Sequence, residues 1–307
     1  MKEDYLQRKR EKFLEKLENC GEKNKKLEEL FGSGITRKFL RLVYYPSIYF
    51  PYIFWKIGLV RTIKRRLFWG KEIFCKAEKE NRDLDFRFLG YYSGDREVRL
   101  TKFFIKILKK NDIFYNIGAY YGFYTYLALE FCHEVHVFEP LPDAFKSLKS
   151  NLEKVPNVFL NNVGVSNTQG ETFLFKNNVA STILVEVASF NKTLKKRKIK
   201  IKTITLDNYI NSYSKPTVIK LDIEGAEKLA IKGSKKFLKE NSPIIIIEVW
   251  GKEYRGEISM EAIRILRELG YQPHFIHSNG DLIRVESALS LNTFLRKIQI
   301  DNLVFTK

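Results

Sequence analysis

Two short runs, "TVIKLDI" (217–223) and "PIIIIEV" (243–249), restrict the folds open to this chain more than any other feature. Each is almost continuously apolar and β-branched, without the alternation of a strand that has one face in water. Such strands are buried on both faces, as in a mostly parallel sheet covered by helices on each side. The same rhythm starts near residue 100, with strands predicted at 112–117, 134–138, 157–163, 217–222, 243–249, 271–277 and 300–306. Helices are predicted between them at 123–132, 142–154, 206–212, 225–240 and 258–269, and 166–203 interrupts the series as an irregular polar insertion. The pattern is that of an open, doubly wound α/β sheet.

Sheets of this kind bind ligands at the carboxyl ends of their strands, where the strand order reverses. Polar residues stand at those ends: Asn116, Glu139, Asn162, Asp222 and Glu248. After the first strand, "FYNIGAYYGFYT" (114–125) places Gly118 and Gly122 at the start of a helix, so free backbone N–H groups are expected to face an anionic part of a ligand. Tyr120 stands where the second glycine of a dinucleotide fingerprint belongs, and the lysine of a P-loop is missing. Glu139 ends the next strand and can take both hydroxyls of a ribose, or serve as a helix-start carboxylate for 142–154. Glycine turn and acid together point to a nucleoside cofactor without a pyrophosphate. Asp222, Glu224 and Glu227 follow in "LDIEGAE", with Glu224 and Glu227 expected on one face of a first helical turn. Three acids there can favour the helix dipole, bind a metal, or act as general base and hydrogen-bond acceptors, with Lys220 as a compensating charge.

These segments, with "VHVFEPLPDAFKSLKSNL" (135–152), "NNVGVSNTQGETFLF" (161–175) and "IKTITLDNYI" (201–210), resemble the FkbM family of S-adenosylmethionine-dependent methyltransferases in order and spacing. The resemblance covers about residues 90–250. It implies a seven-stranded, Rossmann-like methyltransferase sheet, S-adenosylmethionine as methyl donor, and O-methylation of a hydroxyl on a sugar, glycan or similar small molecule. Carried onto this chain, it sets Gly118 and Gly122 at the methionine end of the cofactor, Glu139 at the ribose, and Asn162 with Val163 near the adenine. It sets Asp222, Glu224 and Glu227 at the methyl-transfer site, with Asp222 as the base. Asn116 stands where the family usually has an aspartate; it can still accept a hydrogen bond from the cofactor's amino group. Tyr120 and Tyr121 can place aromatic faces near the sulfonium.

The remaining features concern location and partners. The chain carries a net charge of +18, of which about +9 lies in residues 1–80 and about +7 in "KTLKKRKIKIK" (192–202). Residues 1–30 read as a solvated, charged helix pair broken at Gly21. Residues 42–60, "LVYYPSIYFPYIFWKIGLV", are aromatic, interrupted by Pro46, Pro51 and Lys56, and flanked by basic residues. They suit either the lipid–water boundary or an aromatic cap on the main domain better than a spanning helix. Domains are expected at 1–80, a helical and aromatic-basic extension, and 81–307, the methyltransferase domain. Cys20, Cys75 and Cys132 lack metal-ligand spacing, and "MKEDYLQRKREK" lacks the apolar core of a secretory signal, so a cytoplasmic protein is expected, peripheral on the membrane through residues 37–66. A glycan or small-molecule acceptor is the expected partner. Nucleic acid is disfavoured because the lysines of 192–202 alternate with Thr193, Leu194, Ile199 and Ile201, as in a strand, and not with stacking aromatics. Two rival readings are an RNA methyltransferase using that basic segment and a methyltransferase-like membrane scaffold without activity. His274 and His277 form H-x-x-H without a third ligand nearby and read as edge residues.

Overall fold

The computed structural model describes residues 2–31, 43, 53–54, 57, 59–60, 62–76, 95–175, 181–184, 198–251 and 256–307. In chain order these form helix α1 (Lys2–Phe31), a hairpin of β1 (Thr62–Arg66) and β2 (Glu72–Lys76), helix α2 (Asp95–Ile107), β3 (Ile113–Ile117), α3 (Phe123–Ala128), β4 (Glu134–Phe138), α4 (Pro142–Leu152) and β5 (Val158–Asn161). Next come β6 (Gly164–Val165), β7 (Gly170–Phe175), β8 (Lys198–Ile204), α5 (Leu206–Tyr209), β9 (Val218–Leu221), α6 (Glu227–Lys232) and α7 (Lys235–Glu240). The chain continues through β10 (Ile244–Trp250), α8 (Gly256–Glu268), β11 (Gln272–Ile276), β12 (Leu282–Arg284), α9 (Ala288–Lys297) and β13 (Ile300–Thr306).

The main sheet runs β12-β11-β13-β10-β9-β3-β4-β5. It is parallel from β10 to β5 and antiparallel at β13, β11 and β12. Its side chains divide between two cores as continuous apolar strands require. Phe114, Val135, Val137, Val218 and Ile246 enter one core, and Tyr115, Phe138, Ile219, Ile245 and Ile247 the other. The chain lays down β3, β4 and β5 toward one edge and then returns to set β9 on the other side of β3. The strand order therefore reverses between β3 and β9.

Several expectations are corrected. The sheet has eight strands, not seven, because the three-residue β12 pairs with β11 and is too short to register as a periodic run. The helix expected at 225–240 is two helices that part at Gly233 and Ser234. At Gly233 a Cβ would lie 2.0 Å from the Ser166 carbonyl oxygen, so the backbone passes where a helix side chain would stand. Within the polar insertion, β7 and β8 form an antiparallel ladder in which Lys198, Lys200 and Lys202 are exposed and Ile201 is buried. Residues 192–197 of the basic run lie outside the described residues, as do most of 32–61.

The amino-terminal helix is also different from its expectation. α1 continues through Gly21 without a break and is docked. Phe13 and Leu17 are buried in the first core, where Phe13 stacks on Trp69 at 5.6 Å and meets Phe131 edge-on at 5.3 Å. Arg10 donates to the carbonyls of Lys106 (2.8 Å) and Leu108 (2.6 Å), capping the carboxyl end of α2, and Lys9 pairs with Glu130 at 2.8 Å. The hairpin joins the same core through Leu67, Trp69 and Ile73. Asn151 of α4 accepts from the Phe74 N–H at 2.8 Å and donates to its carbonyl at 2.7 Å. Phe13→Ala should therefore cost about 3–5 kcal/mol of stability, the range for a buried phenylalanine. Denaturant unfolding measures this, and a loss under about 1 kcal/mol would mean that α1 is not part of the folded unit.

Candidate active site

The reversal of strand order brings two loops together, and their contact shapes the site. At Gly118 (φ +80°) an added Cβ would lie 1.9 Å from the carbonyl oxygen of Asp222, so only glycine permits the approach. Gly122 (φ +88°) caps α3, and its Cβ would meet Leu148 at 2.5 Å. The turn's N–H groups are not free, contrary to expectation. Gly118 and Ala119 both donate to the Phe138 carbonyl (2.9 and 3.2 Å), Gly122 donates to the Ala119 carbonyl (2.8 Å), and Tyr120, itself left-handed at φ 53°, donates to Glu139 Oε2 (2.6 Å).

Glu139 is buried, at 5% exposure, and its other oxygen accepts from the Leu141 N–H at 2.8 Å. Burial pushes its pKa up to about 7; the two backbone donors pull the other way and Asp222 adds to the rise. Asn162 does not line the cavity. Its Nδ2 donates to the Glu139 carbonyl at 2.8 Å, anchoring the strand end from behind, while Val163 is on the wall. Asn116 is buried at the tip of β3. Its Nδ2 donates to Thr125 Oγ1 at 2.8 Å, and its Oδ1 lacks a hydrogen-bond partner among the described residues.

Across from the glycine turn lie the acids. Asp222 pairs with the buried Lys220 at 2.7 Å, and the Lys220 ammonium sits 4.9 Å from the centre of the Tyr124 ring. Glu224 is left-handed at φ 54° and lines the cavity. Glu227 turns inward: its Oε1 accepts from the Ile223 N–H at 3.0 Å, and it is not on the cavity wall. Burial, opposed by that backbone donor, pushes its pKa up to about 7. The acid that takes its expected place is Glu248, in β10 just beyond the last residue paired with β9. Carboxylate oxygens of Asp222, Glu224 and Glu248 lie within 4.8 Å of one another. Arg96, in the first turn of α2, meets Glu248 at 3.1 Å and Glu97 at 2.9 Å, and Glu97 accepts from the Tyr124 hydroxyl at 2.7 Å. Arg96 and Glu97 escaped the sequence reading, since no motif marks them; the available signal was an amphipathic "DREVRLTKFFIKI" with acids in its first turn. His274 and His277 are remote, bonded to the Gln272 carbonyl and to Asn279.

All these walls belong to one cavity of about 470 Å³. The methyltransferase FkbM domain matches residues 112–273, from β3 to β11. The chain belongs to the FkbM methyltransferase family. A hexuronic acid methyltransferase, AglP, of Haloferax volcanii is 25% identical over 191 residues, covering 61% of this chain and 74% of that protein. Among solved structures, an FkbM methyltransferase from Methylobacillus flagellatus KT is 16% identical with a TM-score of 0.44, covering 75% of this chain and 56% of its own. The TYW2 of M. jannaschii, solved in complex with AdoMet, is 11% identical with a TM-score of 0.35, covering 80% of this chain and 84% of its own.

An FkbM methyltransferase takes its methyl group from S-adenosylmethionine, and the cavity fits that cofactor. The unpartnered Oδ1 of Asn116 is a buried acceptor suited to an ammonium group, and Glu139 is a carboxylate fixed by two N–H donors with lone pairs remaining for hydroxyls. A glutamate with a pKa near 7 gains its charge as pH rises through neutrality. Cofactor affinity that depends on this charge should strengthen about tenfold between pH 6 and 8. Calorimetry on wild type and Glu139→Gln checks it: the wild type should tighten relative to the variant, and parallel pH profiles would remove Glu139 from the cofactor site.

Proposed function

We propose that this methyltransferase acts on a hydroxyl of a sugar, glycan or lipid-linked saccharide. The observation that carries the reading is the meeting, in one cavity, of the glycine turn with converging carboxylates that can accept hydroxyl hydrogen bonds and a proton. The naming of the Haloferax relative as a hexuronic acid methyltransferase supports a sugar acceptor. The bound donor supplies an electrophilic methyl carbon. In this reading Asn116 accepts from its amino group, Glu139 from its ribose hydroxyls, and Val163 lies beside the adenine, while Tyr120 and Tyr121 face the cationic end. Asp222, Glu224 and Glu248 receive the acceptor. Rate comes chiefly from holding acceptor oxygen and methyl carbon in line.

The test is incubation with isotopically labelled S-adenosylmethionine and methyl glycosides of glucose, glucosamine and glucuronic acid, followed by mass spectrometry. Label should appear as one O-methyl group on at least one sugar. Cofactor binding without transfer to any sugar would reject the reading and favour a scaffold.

We also infer that the protein works at an anionic membrane surface. Ile53, Phe54, Ile57 and Leu59 are exposed, and in the sequence they shortly precede β1, where Lys64 and Arg66 are exposed. Among the described residues no helix is long and apolar enough to cross a membrane. Sedimentation with vesicles containing phosphatidylglycerol should capture the wild type in a salt-dependent way. Phe54→Glu with Ile57→Glu should release it, and equal capture of both proteins would reject the surface.

A further inference from the structure

The three carboxylates on the acceptor wall are not equivalent. Asp222 has one oxygen committed to Lys220 at 2.7 Å. Glu224 is carried by a left-handed loop residue. Glu248 stands on a central strand just past the point where its pairing with β9 ends, its side chain is only 10% exposed, and Arg96 Nη1 holds its Oε1 at 3.1 Å. Its Oε2 has no hydrogen-bond partner among the described residues. It is a fixed carboxylate with one lone-pair face toward the cavity.

We propose that Glu248 accepts the proton of the reacting hydroxyl and that Arg96 is the residue that positions it. The assignment rests on the O-methyl transfer proposed above. In the step, a lone pair of the acceptor oxygen forms the new O–C bond, and the electron pair of the S–CH3 bond returns to sulfur. The hydroxyl proton passes to Glu248 Oε2, leaving a neutral ether, a neutral thioether and a carboxylic acid. The proton then leaves Glu248 for solvent through the cavity mouth.

The surroundings suit this task. Glu248 meets Arg96 from α2 and shares the cavity wall with Glu97 of α2, Tyr124 of α3, Lys220 of β9, and Asp222 and Glu224 in the loop after it; Glu227 acts on it from the start of α6, and Asn302 of β13 is its ladder partner. Burial first, then Asp222 and Glu224, hold its pKa well above the ordinary glutamate range, and Arg96 opposes them. Arg96 keeps its charge: burial works against it, but Glu248, Glu97 and Asp222 outweigh burial and raise its pKa. A glutamate raised in this way is a stronger base that ionises at higher pH, so transfer should climb with pH along an acid limb set by Glu248.

The experiment follows kcat for transfer to the methyl glycosides, with cofactor saturating at every pH so that titration of Glu139 does not enter, from about pH 5.5 to 9 for the wild type, E248Q, E248D, R96Q and D222N, with cofactor affinity and melting temperature as controls. E248Q should lose about 10²-fold or more in kcat together with the acid limb, at unchanged cofactor affinity. E248D should keep the limb at reduced kcat. R96Q should keep it but move it to higher pH, because the cation that favours ionised Glu248 is gone. D222N should also keep it. A limb retained by E248Q or abolished by D222N overturns the assignment while leaving O-methyl transfer standing. Wild-type activity abolished by EDTA and restored by Mg2+ overturns it in favour of a metal among the three acids. A wild type that binds cofactor but methylates none of the sugars overturns both this assignment and the reading beneath it.

Discussion

The site depends on one contact, the backbone of Gly118 pressed against the carbonyl of Asp222. The ladder leads up to it, with Phe114 to Ile117 of β3 paired to Val218 to Leu221 of β9, and the Asp222 N–H then donates to the Ile117 carbonyl at 3.0 Å. Both chains must turn sharply at once, and both use left-handed backbone: Tyr120 and Gly122 on one side, Glu224 and Gly225 on the other. A left-handed residue other than glycine costs of order 1–2 kcal/mol. Each loop offsets that cost with a buried carboxylate. Glu139 takes the N–H of Tyr120, and Glu227 takes the N–H of Ile223 beside Glu224. The two glutamates are counterparts, one clamp for each loop, and burial raises the pKa of both.

The guanidinium that meets the three acids comes from outside the matched family region. α2 precedes residue 112 and carries Arg96, and it is held to the antiparallel half of the sheet by Arg99, which donates to the Ile276 carbonyl at 2.7 Å and pairs with Asp301 at 3.0 Å. At its far end α2 is capped by Arg10 of α1. The amino-terminal helix thus helps to fix the helix that carries Arg96. Phe13 and Leu17 of α1 and Leu67, Trp69 and Ile73 of the hairpin share the first core with the sheet, so these described parts of the extension pack as one unit with it.

The sheet was legible because its strands are buried on both faces, and a continuous β-branched run of strand length has few places in a folded chain except the middle of such a sheet. Gly118, Gly122 and Glu139 were legible for a related reason: strand ends in such a sheet are where a ligand and a tight turn coincide. Glu227 was misplaced because helical spacing was applied to Glu224, which is left-handed and outside the helix; α6 begins only at Glu227. The free N–H groups expected of the glycine turn were consumed by Phe138 and Glu139, which only the folded β3–β4 pair brings near, and by Ala119 within the turn itself. Arg96 and the docking of α1 could not be read at all. Their meaning lies in contacts across 152 positions to Glu248 and 96 to Lys106, which no local pattern encodes.

Asn116 is best understood through its neighbour. In the β3–β9 ladder Asn116 stands opposite Lys220, and both side chains are buried. Lys220 is the cation that pairs with Asp222, at the point where the two loops touch. A carboxylate at position 116 would lie beside the same ammonium and compete for it, and would add a further negative charge to a cavity that already holds Glu97, Glu139, Asp222, Glu224 and Glu248. The amide avoids both effects while keeping an acceptor oxygen at the strand tip, and its Nδ2 finds Thr125. In the proposed reading the departure from the usual aspartate keeps one acceptor oxygen for the cofactor's amino group and gives up a charge and a second acceptor oxygen.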